Sequence, residues 1–146
     1  MSGNTIRVFD DTVHTTHLWL KEIMADLHTE SRPDAYRALR LTLQSLRDHM
    51  SVEQAAHFAA QLPLLLRGVF FEGFNPSHMP SKDRSVEHFL ARLDGADFSG
   101  VGFSAPDIAR RVLAVLETKI SAGEIDAVRE SLPKDIRALW PAAAAA

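Results

Sequence analysis

Apolar residues recur along the chain at helical intervals. Leu39, Leu43, Leu46 and Met50 stand 4, 3 and 4 residues apart, which puts them on one face of a helix. Ala109, Leu113, Leu116 and Ile120 copy that spacing. A serine follows each stripe, and then a second apolar series: Ala55, Phe58 and Leu62 in one case, Ile125, Val128 and Leu132 in the other. The strings Ser51-Val-Glu-Gln54 and Ser121-Ala-Gly-Glu124 fit a capping box, in which the serine oxygen and the side chain three residues on satisfy free N–H groups at a helix start. Leu62-Pro63 and Leu132-Pro133 then interrupt the helix, because proline lacks an N–H and clashes in a helix interior. Each proline suits the first turn of a short following helix, and Arg32-Pro33-Asp34 and Ser104-Ala-Pro106 open helices in the same way. No stretch alternates strictly enough to be a half-buried strand. The pattern predicts helices over about 14–28, 34–50, 52–62, 63–71, 84–94, 105–120, 122–131 and 133–140.

The second four helices echo the first four at an offset of 70 residues, without gaps. Between 35–70 and 105–140 there are 8 identities in 36 positions, among them Arg40 with Arg110, Leu46 with Leu116, Leu62-Pro63 with Leu132-Pro133, and Arg67 with Arg137. Apolar exchanges extend the match: Met50 with Ile120, Phe58 with Val128, Phe70 with Trp140, and further back Trp19 with Phe89. The expected fold is therefore all-α, a helical bundle of two tandem four-helix repeats at about 14–71 and 84–140, related by a pseudo-twofold axis. A single repeat leaves apolar surface bare, so the two are expected to pack into one domain over 1–141, followed by an alanine tail at 142–146.

Composition narrows the function classes. A chain of 146 residues with 46% hydrophobic content can bury a core without a metal or disulfide staple. The net charge of −3 argues against a protein that coats nucleic acid or an anionic membrane. The absence of cysteine excludes disulfides, thiolate zinc sites and a cysteine nucleophile. The most apolar stretch, 55–71, is interrupted by His57, Gln61, Pro63 and Arg67, so no membrane span is expected. The first residues, Met1-Ser2-Gly3-Asn4, lack the basic-then-apolar pattern of a secretory signal, and a cytoplasmic protein is expected.

Two loops depart from the repeat. The linker from Phe71 to Pro80 carries Phe71 and Phe74 beside Gly73 and Pro76, which suggests an ordered strap whose aromatics cap the core. Gly100-Val-Gly102 precedes a helix, as phosphate-cradling loops do, but no strand precedes it and no Gly-Lys follows, so it reads as a turn. Among polar residues, Arg67 and Arg137 occupy equivalent positions and, with Phe71 and Phe74, are the candidate anion or ligand site at the repeat junction. The plainer reading is that these arginines bond carbonyls at helix ends. His14 and His17 stand three apart, one turn after Asp10 and Asp11, and are the candidate metal ligands. Such spacing is common, and all seven histidines otherwise read as surface side chains. Arg84, Arg92, Arg110, Arg111 and Lys119 are a candidate basic face, but no DNA-reading motif accompanies them. No catalytic constellation emerges, and no Gly-x-Ser-x-Gly elbow is present.

The run from Ala38 to Met50, the string Glu53-Gln-Ala-Ala-His-Phe-Ala-Ala-Gln-Leu-Pro-Leu-Leu-Leu-Arg-Gly-Val-Phe-Phe-Glu-Gly-Phe-Asn-Pro76, and the later Val112-Leu-Ala-Val-Leu116, Gly123-Glu-Ile125, Leu132-Pro133 and Leu139-Trp-Pro141 resemble the bacterial family of domain of unknown function 2267. The resemblance covers about 15–141, with Phe70, Phe71 and Phe74 where Tyr or Trp is expected. It implies a helical bacterial protein and brings no activity, cofactor or catalytic residue. The expected function is a non-catalytic interaction or regulatory module without a cofactor, whose partner is another protein or a second copy. The alternatives are a small-anion or ligand-binding protein using Arg67, Arg137, Phe71 and Phe74, and a metal-dependent helical enzyme using His14 and His17.

Overall fold

A computed structural model describes residues 4–141, so the alanine tail at 142–146 lies outside the described residues. Its regular elements are α1 (Arg7–Asp26), α2 (Arg32–Asp48), α3 (Val52–Ala59), α4 (Leu64–Phe71), a 3-10 turn (Pro76–His78), α5 (Val86–Asp94), α6 (Ala105–Lys119), α7 (Ala122–Ser131) and α8 (Lys134–Arg137), with no strand among the described residues.

Local chemistry sets most boundaries. The Ser51 hydroxyl accepts the Gln54 N–H at 3.0 Å, and the Ser121 hydroxyl accepts that of Glu124 at 3.3 Å. The second half of the expected capping box is not made. Gln54 Nε2 instead donates to the Glu124 carboxylate at 2.6 Å, because the two helix starts face each other and a bond to a charged acceptor outcompetes the local one. Ser31 and Ser85 cap α2 and α5 in the same manner. Pro63 and Pro133 sit just before α4 and α8 with extended ψ values of 149° and 154°, so each stops one helix and aims the next.

The first helix departs from expectation at both ends. It starts at Arg7, well before the residues near 14 where the core pattern begins. Its first two turns bury nothing. It ends at Asp26 because His28 takes a left-handed φ of 53° and the Thr29 N–H returns to the Met24 carbonyl at 3.0 Å.

Helix α2 is the centre of the bundle and packs against α1, α4, α5 and α6. Every residue from Leu41 to Arg47 is therefore buried, including Thr42, Gln44, Ser45 and Arg47. Around it α1 packs on α6, α5 on α6, α1 on α4, α3 on α7 and α5 on α8. Trp19, Leu39, Leu46, Phe58, Phe70, Phe89, Leu116 and Ile136 belong to one continuous core. The Gly100 turn closes onto the start of α2, where a Cβ at Gly100 would lie 2.8 Å from Asp34 Oδ2. Close packing against a carboxylate, which would repel a phosphate, explains that glycine.

Leu46 and Leu116 are both completely buried. Leu46→Ala and Leu116→Ala should each cost about 2–5 kcal/mol in urea denaturation. A loss under about 1 kcal/mol would place that leucine outside the core.

Candidate functional site

The carbonyls that end α2 and α4 determine the path of the strap between α4 and α5. Helix C-termini leave unpaired carbonyls with partial negative charge, and donors or cations gather there. At the end of α4, the Val69 carbonyl accepts from Gln44 Nε2 at 3.1 Å, and Arg47 donates to the carbonyls of Phe70 at 2.9 Å and Glu72 at 2.7 Å. At the end of α2, the Asp48 carbonyl accepts the Ser81 N–H at 2.7 Å, and the His49 carbonyl accepts from Arg84 at 3.1 Å. Arg84 also donates to the Ser131 carbonyl at the end of α7, at 3.2 Å.

Arg47 is only 2% exposed, and its charge is answered by Asp48, whose Oδ1 accepts from Nε at 3.0 Å. The other Asp48 oxygen accepts from Arg92 at 2.7 Å. These groups form the floor of an open groove of about 740 Å³ whose rim is the strap, with Lys82, His78 and His88 also lining it.

His49 lies behind the groove-lining His88 and is 2% exposed, which corrects the reading of all seven histidines as surface side chains. Its Nδ1 is 3.0 Å from the Ser45 carbonyl, and its Nε2 is 3.2 Å from the Asp83 carbonyl and 3.4 Å from His88 Nδ1. Burial lowers its pKa below 6.5, with contributions in the same direction from His88 and Arg84, while its bonds to the Ser45 and Asp83 carbonyls act the other way. Asp83 is exposed, and its carboxyl pKa is lowered by hydrogen bonds from Ser85. No signal in the stripe pattern marks position 49. It is buried because α2 is surrounded, and a stripe assumes one wet face.

The residues singled out by sequence take other places. Arg67 donates to the carbonyls of Ala59 and Leu62, both at 3.2 Å, and Arg137 donates to those of Arg129 and Leu132, both at 3.0 Å. Each arginine thus ties a short helix to the end of the one before. Neither lines the groove, and neither do Phe71 and Phe74. Phe71 is half-buried on the core, its ring edge-on to Phe70 and to Phe74 at 5.1 Å each. His14 and His17 are exposed on α1, and no group of three or more His, Cys, Asp or Glu residues among the described residues is placed to hold a metal ion. The five cations considered as a basic face all meet acceptors: Arg92 at Asp48, Arg110 at Asp107, Lys119 at Glu22, Arg111 at the Asp26 carbonyl, and Arg84 as above.

A second surface lies on α1. Its buried face runs through Thr16, Leu20, Ile23 and Leu27, and the same 4-3 spacing continues backward to Val13 and Phe9. There the cover stops, leaving Phe9 57% and Val13 43% exposed. Ile6 and Val8 are exposed beside them. The Thr12 hydroxyl accepts the Leu65 N–H at 2.8 Å, which brings the first turn of α4 alongside, with Leu64 and Leu65 also exposed.

Arg47→Met should cost about 3 kcal/mol in urea denaturation, because two carbonyls and a carboxylate lose a buried donor. Arg92→Met, at a side chain 40% exposed, should cost less than about 1 kcal/mol. Equal losses would contradict the distinction drawn between the two arginines.

Over residues 16–139 the chain matches the model of a family described as uncharacterized conserved protein (DUF2267). Among curated proteins nothing matches it.

Proposed function

The chain belongs to the DUF2267 family of uncharacterized conserved proteins, and for it we propose a non-catalytic role as a helical interaction module that binds a second copy of itself through the start of α1. The observation that carries this reading is the stripe on α1. One row of side chains is buried from Thr16 onward and bare at Phe9 and Val13, although its spacing does not change. Apolar rows left uncovered on a helix mark contact surfaces.

The neighbouring leucines support the same reading. Leu64 and Leu65 are exposed, and 70 residues on, at the start of α8, stand Lys134 and Asp135. Polar residues thus suit the first turn of such a helix, and the leucines answer some other need. A 4-3 row is what an identical helix packs into, each side chain filling a gap between its counterparts. Asp10, His17 and Lys21 share one flank of that row. Antiparallel pairing sets the same flank of each copy against the other, so the acid of one meets the bases of its mate. Closed twofold pairs are also the commonest soluble oligomers. No helix of the described residues is long and apolar enough to cross a membrane.

We further propose that the two halves of the chain are related by a pseudo-twofold axis. In its favour, Gln54 and Glu124, which are 70 apart, bond each other, and α1 packs on α6 as α5 packs on α2. A crystal structure in which residues 15–70 superpose on 85–140 with the same helix order would support it, and a different order would overturn it.

Sedimentation tests the functional reading. The wild-type chain should form a dimer as concentration rises. Phe9→Asp with Val13→Asp should weaken that dimer by more than about thirtyfold, the size of a central interface contact, with helicity unchanged by circular dichroism. A wild-type chain that stays monomeric at every concentration would overturn the reading.

A further inference from the structure

The edge of the groove holds a feature independent of the α1 surface. Where the strap meets the end of α2 and the first turn of α5, four polar atoms form a closed ring. His49 Nε2 is 3.4 Å from His88 Nδ1, which is 3.4 Å from Ser81 Oγ. Ser81 Oγ is 3.2 Å from the Asp83 carbonyl oxygen, which is 3.2 Å from His49 Nε2.

Hydrogens cannot satisfy the whole ring. A neutral imidazole has one N–H, and His49 has a carbonyl at each ring nitrogen. One tautomer puts that proton on Nδ1, toward the Ser45 carbonyl one turn back. Nε2 is then a bare acceptor opposite the Asp83 carbonyl, which is also an acceptor. The Ser81 hydroxyl donates to the Asp83 oxygen, and a His88 N–H can serve His49, but neither puts positive charge between Nε2 and that oxygen.

The dimensions suit a metal ion. Ligands about 2.0–2.1 Å from a tetrahedral zinc ion lie about 3.3–3.4 Å from one another. Edges of 3.2–3.4 Å set a central ion about 2.0 Å from the corners if the ring puckers to a tetrahedron and about 2.3 Å if it is flat. His49 is oriented as metal-binding histidines are, with the nitrogen remote from the ion donating to a main-chain carbonyl. The Asp83 carboxylate lies within electrostatic reach of both imidazoles and offsets added positive charge. The nearby Arg84 guanidinium is committed to the carbonyls of His49 and Ser131.

We propose that His49 Nε2, His88 Nδ1, the Ser81 hydroxyl and the Asp83 carbonyl bind one divalent transition-metal ion of the zinc class. Imidazole ligands favour such ions over magnesium or calcium, which prefer all-oxygen sites. The ion fastens the strap, through Ser81 and Asp83, to the end of α2 and the start of α5. Its role is structural, and it is separate from His14 and His17.

The test is calorimetric titration of zinc chloride into the chelator-treated full chain, with thermal denaturation of the same samples. One ion should bind per chain and raise the Tm. His88→Ala should weaken binding by more than about 100-fold, beyond the range of outer-shell changes, and abolish the rise in Tm. His88 is exposed, so this variant keeps its fold, which circular dichroism checks. The double variant His14→Ala with His17→Ala should bind zinc as the wild type does. No saturable one-to-one binding, binding that survives His88→Ala, or binding lost with His14 and His17 would each overturn the proposal. Because Phe9→Asp with Val13→Asp leaves all four ligands in place, failure here and failure of the dimer are separate results.

Discussion

The molecule is organised around a guanidinium placed where water does not reach. Among the described residues Arg47 is the one buried side chain with a permanent charge. Burying an ion is costly, and the cost is offset only if every donor finds an acceptor. The acceptors here are the Asp48 carboxylate and the two carbonyls at the end of α4. Meeting that need fixes α4 against α2 and turns the chain outward at Glu72. It also aims Asp48 at Arg92, which anchors α5 from the other side. The position of the strap and the shape of the groove beneath it follow from these bonds.

The order of helices was legible because each boundary is written in local chemistry: a serine that caps, a Leu-Pro pair that stops. Helix α7 matches its expected span of 122–131 for that reason. Two features were not legible, and both concern what surrounds a helix. The apolar row of α1 is interrupted by the polar Thr16, and Phe9 and Val13 before it are exposed, so the row read from Trp19, Leu20 and Ile23 stops short of the true helix start. The burial of Thr42, Gln44, Ser45 and Arg47 is not marked by a one-sided stripe, since four helices pack around α2. His49 reads as a surface histidine for this reason, and the candidate ligand site at Arg67, Arg137, Phe71 and Phe74 falls away from the groove. Those two arginines sit at equivalent sequence positions because each performs the same local task, the tying of a short helix to its predecessor.

Comparison at the 70-residue offset shows where the halves diverge chemically. Arg47 stands opposite Glu117, His49 opposite Lys119, and Leu64-Leu65 opposite Lys134-Asp135. The shared positions are mostly those that set caps and core. The divergent ones include Arg47 on the floor of the groove, which the strap and α5 complete, and the leucines of the apolar face on the first half. Sequence likeness between the halves therefore points to scaffold, and function is better sought where the likeness fails.

Arg84 joins places that are far apart in the chain. One side chain holds the last carbonyls of α2 and of α7, from a strap that also covers the groove. Lifting the strap would leave both helix ends without a donor at the same moment. Lifting the strap at Arg84 therefore breaks a bond at the end of α7 as well as one at the end of α2. The strap and the end of α7, 47 residues apart in sequence, thus share one side chain as their tie.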